Sequence, residues 1–187
     1  MASELTVQTL RGPTSGANAD TVLIPSGQTL DASAATIVPS AGQIVQFKTV
    51  KPSSETTFSS AGYTDASGFT LSITPKYTNS RIVIRIWAKT VINNANGSSQ
   101  AAHDHRLMRG STQITNGSWV NYYNMSWATT DLYPPFTLSY IDEPNTTSAI
   151  TYQLQGRIYA GVNNSWRINN GNGGTSAAAM EVMEIKQ

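Results

Sequence analysis

The run SRIVIRIWAKTVI, residues 80–92, limits what this chain can fold into more than any other feature. Ile82, Ile84 and Ile86 recur at every second position, the period of a strand that buries one face. Val83, Arg85 and Trp87 form the alternate set, so a mixed, half-buried second face is expected. A helix needs apolar residues every three or four positions with capping signals, and no stretch sustains that pattern. Gly, Pro and Asn instead interrupt the chain at short intervals among Thr, Val, Ile and Tyr. The expected fold class is all-β.

Other segments carry the same period. QIVQFKTV alternates, and FTLSITPKY puts Phe69, Leu71 and Ile73 on one face before Pro75 closes it. HDHRLMRGSTQI ends in a Gly-Ser turn. FTLSYIDEP, AITYQLQGRIYAG, SWRINN and AAAMEVMEIKQ bring the count to about eight strands, as in a two-sheet jelly roll. Residues 46–187 therefore read as a β-sandwich head. Charged residues are only 12% of the chain, about half the usual share. Abundant Ser, Thr, Asn and Gln suit strands with wet outer faces. A net charge of +1 builds no field for nucleic acid or anionic lipid, so neither is an expected partner. The chain has no Cys, which excludes disulfides and thiolate chemistry. No apolar run approaches membrane-spanning length, and MASELTVQTLRG lacks the apolar core of a signal peptide. A protein made in a cytoplasm, leaving a cell only inside an assembled particle, is expected.

Residues 1–45 have a different texture. Short apolar runs are cut by Pro25, Gly27, Pro39 and Gly42, and none is long enough to form a core. IPSGQ at 24–28 returns as VPSAGQ at 38–43, in the manner of successive corners where Pro sets φ and Gly permits the turn. Val22, Leu23, Ile24, Leu30, Ile37 and Val38 need partners from elsewhere. The segment either wraps its own head or, as favoured here, docks on another surface or trimerises with its copies.

SELTVQTLRGPTSGANADTVLIPSGQTLDASAATIVPSAGQIVQ resembles N-terminal segments of virion fibre proteins from tailed phages, particularly those of marine bacteria. LSITPKYTNSRIVIRI, LMRGSTQI, DEPNTTSAITYQLQGRI and the closing AAAMEVMEIKQ resemble the β-sandwich heads that follow such arms. The resemblance implies a homotrimeric jelly roll, like heads of the tumour-necrosis-factor and complement type. It also implies a virion component assembled in the host cytoplasm, with phage capsid or tail proteins as partners. The departure is size: one head and no long shaft, so a capsid-decorating knob competes with a tail fibre.

Two patterns could carry binding. His103 and His105 are two apart and share one side of a strand. Near a trimer axis they would present six imidazoles, a set that suits an octahedral ion such as iron. The plainer reading is a half-exposed strand with two polar residues and no cofactor. Trp119, Tyr122, Tyr123, Trp127, Tyr133 and Phe136 stand among amides and hydroxyls, the materials of a host-glycan site. They also suit a trimer interface or a core, and packing there is the favoured reading for most of these rings. The loops holding residues 119–127 and Asn163, Asn164 and Trp166 are the candidate host contacts, and a lectin-like module is the rival function.

Catalysis has little support. Acidic residues are scattered, Asp142-Glu143-Pro144 reads as a turn, and Glu181 and Glu184 are expected to face solvent on the last strand. No nucleophile elbow or phosphate loop is present, since GNGG at 171–174 lacks the following Lys-Ser/Thr. The arginines do not cluster as a nucleic-acid patch would, and pairing with acids between subunits is expected of them.

Overall fold

The computed structural model describes residues 14–16, 22, 26–28, 38–93, 100–115, 121–124, 131–158, 165–169 and 178–187. The chain divides into two units, Met1–Val38 and Pro39–Gln187. In the first, Ser26 and Gly27 form a turn, with Gly27 at φ 82°. Val22 and Val38 are exposed, and Leu23, Ile24, Leu30 and Ile37 lie outside the described residues.

The second unit is built from strands, and no helix occurs among the described residues. In chain order these are β1 (Ile44–Val50), β2 (Thr56–Phe58), β3 (Thr64–Ile73), β4 (Arg81–Asn93), β5 (Gln100–Arg109) and β6 (Thr112–Gln113). They continue as β7 (Asn121–Asn124), β8 (Pro135–Asp142), β9 (Ile150–Ile158), β10 (Ser165–Ile168) and β11 (Ala179–Ile185). Ile44 and Val45 therefore start the first strand of the head and do not belong to the arm. The short strands β2 and β7 carry too few alternations to be read from sequence.

One antiparallel sheet runs β1-β11-β4-β8, with β2 and β10 continuing the lines of β1 and β11 along the far half of β4. The other runs β3-β9-β5, with β6 and β7 at opposite ends of its last edge. Successive strands thus pass between two sheets of four columns each, which is jelly-roll topology. The fold is an all-β sandwich.

The long strand β4 organises the first sheet. Ile82, Ile84 and Ile86 face inward and are fully buried, as the alternation requires. Phe69, Leu71 and Ile73 from β3 and Tyr152 and Leu154 from β9 close over them. A register shift between Asp65 and Thr70 lets Ala66 and Phe69, three apart, both point inward. Gly68 makes this bulge at φ 76°, and a Cβ there would lie 3.0 Å from the Pro52 side chain. Gly68→Ala is expected to cost about 1–3 kcal/mol, read as a lower urea midpoint at unchanged slope.

Candidate functional site

The strand ends locate the region that sequence reading marks for contact. Ser165 pairs with Asn93, Gln100 with Asn124, and Ile158 with His103, so these ends meet at one end of the sandwich. Trp119, Trp127, Asn163 and Asn164 lie outside the described residues. Tyr122 and Tyr123 are in β7, paired with Ala102 and Ala101. Tyr133 is exposed near this end. Beside it, Asp131 accepts from Asn93 Nδ2 at 2.6 Å and from Arg167 Nη2 at 3.1 Å.

Trp166 corrects an expectation: it is no surface contact. It points inward from β10 with 0% exposure. Its ring stacks on His103 with centroids 4.3 Å apart and on Phe58 at 4.6 Å. Gly156 on β9 makes room for the stack, since a Cβ there would meet Trp166 Cζ3 at 2.3 Å.

The histidine pair requires a second correction. His103 and His105 share one side of β5, as their spacing demands, but that side is the interior. His105 packs edge-on against Phe136 at 4.8 Å. Imidazoles enclosed between the two sheets of one head cannot meet those of other heads at an axis, so the axial metal does not follow. Among the described residues no group of three or more His, Cys, Asp or Glu is placed to hold a metal.

Burial pulls the His103 imidazole down to about 3, helped by His105 and opposed by Asp104. Burial also lowers His105. Unfolded, both take up a proton near pH 6.5. The folded protein resists, so stability is undiminished above that pH and falls below it, for His103 down to about pH 3. Thermal melts between pH 7 and pH 4 should show stability falling as pH drops, with His103 contributing up to about 1.4 kcal/mol per unit and His105 adding in the same direction. His103→Phe, which keeps a flat ring on Trp166, should reduce that slope.

On the outer face of the second sheet, Asp104 points away from the histidines yet is buried. Tyr63 Oη donates to Asp104 Oδ2, and Arg157 Nη2 donates to the same oxygen at 3.0 Å. Arg106 and Arg157 lie 4.1 and 4.4 Å from the Tyr63 ring centre. Burial, then the bond to Asp104 and its charge, push the Tyr63 phenol up to about 12 against both arginines. Arg106 continues the network to Gln155 at 2.7 Å, and Gln155 to Asp65 at 2.7 Å.

The other buried carboxylates are also held by donors. Asp142 accepts two bonds from Arg109, at 2.9 and 3.0 Å, and one from Tyr152 Oη at 2.7 Å. It ties β8 to the opposite sheet and is not simply part of a turn. Glu184, expected in solvent, is fully buried. Its oxygens accept from Ser80 Oγ at 2.6 Å, Gln46 Nε2 at 2.6 Å, and the amides of Lys76 and Tyr77 at 2.8 and 3.2 Å. Burial raises its pKa, but these bonds outweigh that and leave it lowered. Arg81, Arg109, Arg157 and Arg167 pair with Glu143, Asp142, Asp104 and Asp131 of the same chain. For these four, pairing within the chain replaces the pairing between subunits expected from sequence. The arrangement is chemistry of support: carboxylates engaged by guanidinium, hydroxyl and amide donors.

No family model matches the chain, and no curated protein sequence matches it. Among solved structures it is similar to structures of infectious bursal disease virus. A Gt-strain chain is 14% identical, with TM-score 0.36 over 88% of this chain and 43% of that one. A mutant VP2 protein in derived T=1 particles is 16% identical, with TM-score 0.36 over 93% and 40%. A Gx-strain chain is 17% identical, with TM-score 0.34 over 87% and 42%. This chain thus spans less than half the length of each. The assignment as a sandwich rests on the strand pairing itself.

Proposed function

We propose that this chain is a non-enzymatic structural protein of a phage particle, a trimeric fibre or knob. Residues 1–43 serve as the attachment arm and 44–187, from the start of β1, as the head. The observation that carries the reading is the jelly-roll unit itself, whose buried carboxylates are held in structural hydrogen bonds and ion pairs. The resemblance of the arm and head segments to tailed-phage fibre proteins supplies the particle. Three linked arms would raise the effective concentration of each at its docking surface. Gold-labelled antibody against the chain should decorate purified particles at regular positions, on tail or capsid. Unlabelled particles would overturn the proposal. Particles rebuilt with a chain lacking residues 1–38 should lose the label while the head remains folded.

The second reading is a carbohydrate-binding head for host recognition. Exposed Tyr133, two residues along the chain from Asp131, favours it. Binding to a host-polysaccharide array that Tyr133→Ala weakens would support it. Binding that is absent or unchanged would remove that end of the sandwich as the contact.

A further inference from the structure

The outer face of the first sheet carries an apolar row in strict register. Ile141 of β8 lies opposite Val83 of β4, Val83 opposite Met183 of β11, and Met183 opposite Phe47 of β1. Directly paired residues share a face, so the four side chains cross the sheet from edge to edge, over about 14 Å. Ile141 is 58% exposed and Phe47 49%. Trp87, two rows further along β4, is 38% exposed on the same face. Isolated apolar residues on a surface are ordinary, but a row running across a sheet from one edge to the other marks a contact surface.

The charges beside the row indicate the occupant. Arg85 and Glu181 lie opposite each other in the adjacent row, on β4 and β11. Neither makes an ion pair with any described residue. Arg81 and Glu143 flank the other side and pair together. The face therefore holds balanced, unspent charge, a cation on the β4 side and an anion on the β11 side. A strongly charged partner would leave one of them opposed by like charge. A copy of this chain would not. A rotation that closes a ring brings the half of one face bearing Arg85 against the half of the next bearing Glu181.

We infer that this sheet face is where copies of the chain pack together, with the Ile141–Val83–Met183–Phe47 row at its centre and Arg85 meeting Glu181 of a neighbouring copy. The inference rests on the reading of the chain as a self-assembling virion component, and it names the surface.

The test is light scattering and sedimentation of the full chain across a concentration series. The variants are Arg85→Glu, Glu181→Arg, the double reversal, and Phe47→Ser with Ile141→Ser. The unaltered chain should be an oligomer. Each single reversal should weaken association about tenfold or more, and the double reversal should restore it. The Phe47/Ile141 variant should be largely monomeric. Arg85 is exposed and Glu181 half-buried, so circular dichroism should show every charge variant folded. A monomeric unaltered chain overturns the inference. So do single reversals that leave the mass unchanged. If the oligomer survives the reversals but is lost without residues 1–38, assembly belongs to the arm and the sheet face is ruled out. Antibody labelling of particles is read independently, so either proposal can fail alone.

Discussion

Trp166→Ala is expected to destabilise the head by about 3–5 kcal/mol, among the largest effects of any single substitution in it. The ring is fully buried and stacked between His103 and Phe58, with Phe136 alongside at 6.0 Å. Removing it leaves a cavity that the rigid strands β4, β5 and β9 cannot close. A tryptophan used for host contact at a loop tip would behave differently, because its loss would shift the urea midpoint by no more than about 0.5 kcal/mol. Urea unfolding followed by tyrosine fluorescence or circular dichroism decides between these. A double-mutant cycle sharpens the result. Gly156→Ala alone should cost about 3 kcal/mol, since its new methyl lands on Trp166 Cζ3 and is 2.9 Å from Phe58 Cζ. In the Trp166→Ala background that methyl gains space, so the two costs should sum to well below additivity. Strict additivity would mean that Gly156 and Trp166 do not share the packing described.

Glu184→Ala should cost about 3–4 kcal/mol. The side chain is fully buried, with no cation in ion-pair reach among the described residues, and it accepts four hydrogen bonds. Truncation strands buried donors, at about 1–3 kcal/mol for each left unpaired. The donors include the amides of Lys76 and Tyr77 and the Ser80 hydroxyl, all in the crossover that carries the chain from β3 in one sheet to β4 in the other. Hydrogen exchange at those two amides should accelerate well ahead of the rest of the head. Uniform exchange across the head would contradict this role. Glu184→Gln should be milder, about 1–2 kcal/mol, because a carbonyl oxygen can keep the three bonds from the crossover. It loses the bond from Gln46 Nε2, which also donates to the Thr74 carbonyl at 2.7 Å and so cannot turn away without loss. The pH dependence has a definite sign. The folded carboxyl is depressed below its unfolded value, so its contribution is present above that value and is lost as pH falls through the folded pKa. It adds to the acid sensitivity of His103 and His105, at lower pH.

How far each feature could be read depends on what signal it leaves along the chain. The strands around Ile84, Leu71 and Tyr152 are legible because side chains alternate between faces at every step, and burying one face imprints that period. Gly156 carries a readable sign as well, since a glycine inside the strand pattern AITYQLQGRIYAG marks a close approach of another group. What it approaches is not readable, because Trp166 arrives from a strand on the opposite sheet. His103 and His105 show the same limit: their spacing shows that they share a side, while which side faces the interior depends on where β5 sits between β9 and β7.

The sequence by itself determined the fold class and the positions of most strands. These follow from local period and composition. The tertiary structure alone decided that Trp166 and the histidines are core, that Glu184 pins a crossover, and that Phe47, Met183, Val83 and Ile141 form one row. Those properties belong to contacts between strands distant in the chain, where register and sheet order choose the neighbours and no local pattern records them.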